Sequence, residues 1–146
     1  MSASANELEE IAAVQQAIVD DFTVLGDWSE RYQYLIDLGR QLGELEASDR
    51  IEANLLHGCQ SQVWVVAEGD ESRLSFRATS DAAIVSGLIA LMLKVYSNRS
   101  AAAILASEPL FIDQIGLRKH LSATRNNGLG SLYQRIRAEA AARVGS

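Results

Sequence analysis

The sequence predicts an α+β fold: helices, then a small antiparallel sheet of about three strands, then further helices that cover it. Three observations carry this expectation. Apolar residues recur at helical spacing through residues 4–43, the period drops to two between 50 and 79, and helical spacing returns from 81 to 143. Strands gathered in one block between two blocks of helices are the mark of segregated elements, not of alternating strand–helix units. The 146 residues read as one domain, long enough to bury a core without disulfide or metal staples.

Ser4-x-x-Glu7 has the form of a capping box and predicts the first helix start. Leu8, Ile11, Val14, Ile18, Phe22 and Leu25 then step by three and four, giving one buried stripe that ends at Gly26. Asp27-x-x-Glu30 opens a second helix with Trp28, Tyr32, Leu35, Ile36 and Leu42 inward; Gly39 and Gly43 mark a fraying end or a close packing contact. Ile51, Ala53 and Leu55 alternate weakly, as a short edge strand would. Val63–Val66 is a β-branched and aromatic run suited to a central strand, with Trp64 in the core. Past the polar turn Glu68–Glu71, Leu74, Phe76 and Ala78 alternate with Ser75, Arg77 and Thr79, which closes a hairpin. From Ile84 to Val95 almost no polar face remains, so this helix is expected at the centre, capped by Ser80 or Asp81. Short helical pieces are predicted at Ala101–Ala106 and Pro109–Ile115. A last helix from about Asn127 carries Leu129, Leu132, Tyr133, Ile136 and Ala140 on one face.

Composition narrows the function. A net charge of −6 and a pI near 4.9 lack the basic footprint that phosphate-backbone binding requires, so nucleic acid is not an expected partner. The longest apolar stretch, Ala82 to Tyr96, is interrupted by Ser86, Gly87 and Lys94, so no membrane span is expected. The first residues lack the basic start and apolar core of a secretory signal. One cysteine and no export signal together predict a cytoplasmic protein.

That cysteine is the most informative residue. Cys59 lies in His57-Gly58-Cys59-Gln60-Ser61-Gln62-Val63-Trp64, immediately before the predicted central strand. A lone thiol closes no intramolecular disulfide and builds no multi-cysteine metal or cluster site by itself. It is either an inert buried thiol or a thiolate acting alone as nucleophile or covalent carrier. Gly58 frees the backbone to turn, and Gln60, Ser61 and Gln62 surround the sulfur with neutral hydrogen-bonding groups, which favours the second role.

Gly58-Cys59-Gln60-Ser61-Gln62-Val63-Trp64 resembles the signature of SufE-type sulfur-acceptor proteins. Three further blocks resemble the same family in the expected order: Trp28-x-x-Arg31-Tyr32-x-x-Leu35-Ile36-x-Leu38-Gly39, Ser80-Asp81-Ala82-Ala83-Ile84-Val85-x-Gly87-Leu88, and Leu121-Ser122-x-x-Arg125-x-x-Gly128-Leu129. Gly43 and Ala123 stand where many relatives have proline, both in connections away from the cysteine. The resemblance implies a SufE/NifU-like fold. It also implies that the chain accepts sulfur on Cys59 as a persulfide from a SufS-like cysteine desulfurase, stimulates that enzyme, and passes the sulfur to a SufBCD-like iron–sulfur scaffold complex. On this reading the chain is an accessory protein, not an enzyme. It binds no cofactor of its own, because pyridoxal phosphate belongs to the desulfurase, and it is a monomer or a homodimer.

Supporting roles follow from the same blocks. Arg125 is the candidate cation near the thiol, favouring thiolate or pairing with an acidic group of the partner. Asp81 is foremost a helix cap, with a second role beside the Cys59 loop compatible. Gly58 is the expected hinge of a loop that shelters the sulfur at rest and exposes it on docking. His57 points to a competing reading, a cysteine-nucleophile hydrolase built on Cys59 and His57, although no orienting third group or oxyanion motif accompanies it. A carrier serving tRNA modification is another alternative. His120 has no partner pattern, and two histidines with one cysteine make no metal set.

Overall fold

A computed structural model describes residues 3–58 and 61–145. Among these residues, six α-helices, a hairpin and three 3-10 turns follow one another as α1 (Ala5–Val24), α2 (Trp28–Gly39), turns at Ala47–Asp49 and Glu52–Asn54, β1 (Val63–Gly69), β2 (Leu74–Ser80), α3 (Ala83–Tyr96), α4 (Ala101–Ala106), α5 (Phe111–Gln114), a turn at Leu117–His120, and α6 (Ala123–Arg143). The fold is α+β, as the sequence predicts.

Helix α1 starts where Ser4 Oγ accepts from the Glu7 amide at 3.1 Å. The other half of the capping box is redirected. Glu7 turns its carboxylate onto Ser100, accepting from its amide and its hydroxyl, each at 2.6 Å, and so ties α1 to the start of α4. Ile11, Ile18 and Phe22 are buried as their spacing requires. Gln15 shares that stripe and is buried too, because its amide is satisfied at both ends: Nε2 donates to the Glu108 carbonyl and Oε1 accepts from the Phe111 amide.

Helix α3 is the centre. Eight of its residues, including Leu88, Leu91, Met92, Val95 and Tyr96, are buried, against α1, α2, β2 and α6. Its approach to α2 rests on two glycines. A Cβ on Gly39 would lie 2.7 Å from Ser86 Cβ, and one on Gly87 would run into the Leu35 carbonyl oxygen. Gly39 is thus a packing contact, while Gly43 has nothing within 4 Å.

Among the described residues the sheet has two strands, antiparallel, in register from Val63↔Ser80 to Gly69↔Leu74. Asp70 Oδ1 holds the connecting turn by accepting from the amides of Ser72 and Arg73. The third strand expected at 50–56 condenses to the two 3-10 turns and a single bridge, Leu55↔Trp64, with the Leu56 amide donating to Val63 at 2.8 Å. Val63 and Val65 point into the core, so the intervening Trp64 is half-buried on the opposite face. There the Arg50 guanidinium covers it at 5.6 Å, which corrects its expected core placement. Helix α6 begins at Ala123, four residues earlier than its apolar stripe suggests. Ser122 caps it by accepting from the Arg125 amide at 3.1 Å. No helix among the described residues is long and apolar enough to cross a membrane.

Candidate functional site

Cys59 and Gln60 lie outside the described residues, and so does the expected exposure of the thiol by loop movement; the site is built from what flanks them. Gly58 has φ +91°, a conformation that L side chains rarely adopt. A Cβ there would also fall 2.7 Å from Ser131 Oγ on α6. The backbone entering Cys59 therefore rests directly on the first half of α6, and only glycine satisfies both conditions.

On the other side, Ser61 lines a cleft of about 90 Å³ between α3 and α6. Val85, Leu88, Leu129 and Leu132 give it apolar walls, and Thr124 and Arg125 add polar groups. The next residue, Gln62, is held by Asp81. Its amide donates to Asp81 Oδ1 at 3.2 Å, and the Asp81 amide donates back to the Gln62 carbonyl at 3.4 Å. Asp81 thus prolongs the β1–β2 ladder by one pair toward Cys59. It is not the cap of α3: the N-cap is Ala82, which makes no side-chain capping bond, and Ser80 Oγ accepts from the Ala82 amide.

Arg125 occupies the first turn of α6, exposed. A cation at the positive end of a helix gains nothing from the helix dipole. Its guanidinium makes no hydrogen bond or ion pair among the described residues, so neither helix energetics nor a structural bridge accounts for it there. What the fold does with Arg125 is bring it to the same cleft as Ser61, two residues from Cys59. His57 is exposed, with Nε2 3.5 Å from Glu52 Oε1, and His120 stacks on Trp28 at 3.8 Å.

Gly58, Ser61, Gln62, Asp81 and Arg125, chosen from sequence, are therefore gathered around one short segment. Ser131, Thr124 and the apolar walls from α3 are not legible in the sequence, since their proximity depends on how α6 crosses the hairpin entrance. The described part of the site offers neutral donors, one unpaired guanidinium and an apolar cleft.

The fold and the described flanks of the site define a small α+β domain whose one cysteine falls in the segment that leads into the hairpin. The chain belongs to the SufE family: the model for the SufE Fe-S metabolism associated domain matches residues 16–140. It is 46% identical over 132 residues to an uncharacterized SufE-like protein of Rhizobium etli, covering 87% of this chain and 89% of that protein. It is 44% identical over 132 residues to an uncharacterized SufE-like protein of Rhizobium meliloti (strain 1021), covering 87% and 94%. The solution structure of a hypothetical protein from Thermus thermophilus superposes with a TM-score of 0.74, covering 91% of this chain and 97% of that one. At 20% identity it attests to the fold alone. Family membership places the chain in iron–sulfur metabolism.

Proposed function

We propose that this protein is a sulfur carrier that takes sulfur from a pyridoxal-phosphate cysteine desulfurase onto Cys59, stimulates that enzyme, and passes the sulfur to an iron–sulfur scaffold complex. The observation that carries the reading is the family match over residues 16–140, which encloses the chain's one cysteine. The step is an exchange without net redox change. The Cys59 thiolate attacks the outer sulfur of the donor's Cys–S–SH, the donor S–S bond breaks, and the donor leaves as a thiolate while Cys59 carries S–SH. The chain needs no cofactor for this, since the pyridoxal phosphate acts in the desulfurase. A second cysteine would resolve the persulfide into a disulfide, so a solitary thiol suits a one-sulfur carrier, as does the reducing cytoplasm. Arg125 supports the thiolate electrostatically, and Asp81, by fixing Gln62, supports the geometry of the chain that leads away from Cys59.

The test is intact mass under non-reducing conditions after incubation with a SufS-like desulfurase and L-cysteine. The expected result is a gain of one or more sulfur atoms that Cys59→Ser abolishes. A wild-type protein that gains no sulfur from any of several desulfurases overturns the reading.

A further inference from the structure

Beside the segment that enters Cys59, a wide groove of about 690 Å³ runs between the Leu56-His57 pair and the outward face of α6. His57 borders it on one side, and Asn127, Gly130, Ser131, Gln134 and Arg135 border it on the other. Two features distinguish it from ordinary helix surface. Asn127 and Gln134 are exposed and make no side-chain hydrogen bond among the described residues. They lie seven residues apart, two helical turns or about 10 Å, which three residues of extended chain also span. Each carboxamide both donates and accepts, so the pair matches the alternating needs of a peptide backbone. The second feature is charge. Among the described residues that line the groove none is acidic, while Arg135 and His57 are its basic side chains, in a chain whose net charge is −6. Arg135 gives one N–H to the Ala53 carbonyl at 2.8 Å and makes no ion pair among the described residues, so its charge is not neutralised by a neighbour. Glu52, which does not line the groove, lies 3.5 Å from His57 Nε2.

We infer that this groove receives an extended segment, carrying at least one acidic side chain, of the desulfurase that loads Cys59. The inference rests on the carrier reading above and adds where the partner chain lies. Asn127 and Gln134 pair with its backbone, and Arg135 with its carboxylate. Its course along α6 passes Ser131, against which Gly58 packs, one residue from the thiol. Gly130 leaves room for the approach: a Cβ there meets nothing within 4 Å among the described residues, so a side chain at 130 projects into the groove and not into the core.

Gly130→Leu is therefore the decisive variant, because it fills the groove while replacing a mid-helix glycine by a better helix former. Repeating the mass experiment over a series of carrier concentrations at fixed desulfurase gives the half-saturating carrier concentration, and iodoacetamide alkylation gives the intrinsic reactivity of Cys59. The expected result is a half-saturating concentration raised about tenfold, with alkylation held within about twofold and no loss of thermal stability. An Asn127→Ala/Gln134→Ala double variant, which adds no bulk, is expected to weaken loading in the same sense, and wild-type loading is expected to fall with added salt. Loading unchanged in both variants overturns the inference, as does alkylation falling in parallel with loading, which would make residue 130 a matter of thiol access and not of docking. A wild-type protein that takes up no sulfur at all removes the carrier reading itself, and with it this one, so the two failures are told apart by which protein fails.

Discussion

Asp81 acts on the backbone and not on the helix that follows it. Its carboxylate and amide both engage Gln62, so the pair of residues beyond Val63↔Ser80 is fixed before the chain reaches Ser61. Both partners are exposed, and water replaces a lost acceptor there at low cost, so Asp81→Ala is expected to lower stability by only about 1 kcal/mol. The larger effect belongs to sulfur loading. A single-turnover loading assay should show Asp81→Ala slowed severalfold and Asp81→Asn, which keeps an acceptor at the same place, close to wild type. Equal loading by both variants would mean that the Gln62 contact does not position the site. Asp81 is also a residue whose sequence reading the structure corrects. Aspartate ahead of an apolar helix is the usual cap signal, but the hairpin ladder claims this one first, because its register brings Asp81 opposite Gln62.

At the scale of elements, the pairing of α2 with α3 depends on the missing side chain of Gly87. A methyl group there must displace the Leu35 carbonyl, which belongs to a helix backbone and cannot swing aside. Gly87→Ala is expected to cost about 3 kcal/mol in urea denaturation, against the general gain of a glycine-to-alanine change within a helix. Gly43→Ala, with open space around it, should lie within about 0.5 kcal/mol of wild type or above it. The same pairing shows what the sequence reveals of the fold. Apolar spacing is enough to locate α1, α2, the hairpin and α3, because in each the stripe that the core demands is also the stripe the period displays. The 50–56 segment misleads: Ile51, Ala53 and Leu55 alternate, yet Ile51 is half exposed, and with little to bury, the segment folds into 3-10 turns held by one bridge. The start of α6 is hidden for a related reason. Its first turn, Ala123–Asn126, is largely polar and exposed, so apolar periodicity begins only at Leu129 while Ser122 sets the true boundary. The site residues close to Cys59 in sequence are recognisable, and those contributed by α6 beyond Arg125 are not, since nothing local records which turn of α6 meets Gly58.

For the molecule as a whole, two tyrosines join distant parts of the chain through phenolic hydroxyls that must stay protonated. Tyr34 Oη donates to Asp21 Oδ2 at 3.0 Å, linking α2 to α1, and Tyr96 Oη donates to the Ser107 carbonyl at 2.8 Å, linking α3 to the segment after α4. Burial pushes the Tyr34 phenol up to about 12, with the bond to Asp21 and its charge adding to the effect. Burial also drives Tyr96 far above the usual tyrosine range, and the neighbouring Tyr133 reinforces it. In both cases the folded chain holds its proton more tightly than the unfolded chain. Their contribution to stability is therefore complete below the unfolded value of 10.0 and is lost as pH rises through the folded values. Urea midpoints should accordingly show no tyrosine-dependent change between about pH 7 and 9 and should fall steeply from about pH 10 to 12. Tyr34→Phe, which retains the ring packed edge-on against Phe22 at 5.6 Å but has no proton to lose, should show a shallower alkaline fall than wild type. Parallel curves for the two proteins would mean that the α1–α2 contact is indifferent to the charge on Tyr34. A difference confined to the region above pH 10 would identify the phenol as the group whose ionisation separates the N-terminal helix from the helix pair that carries the sheet.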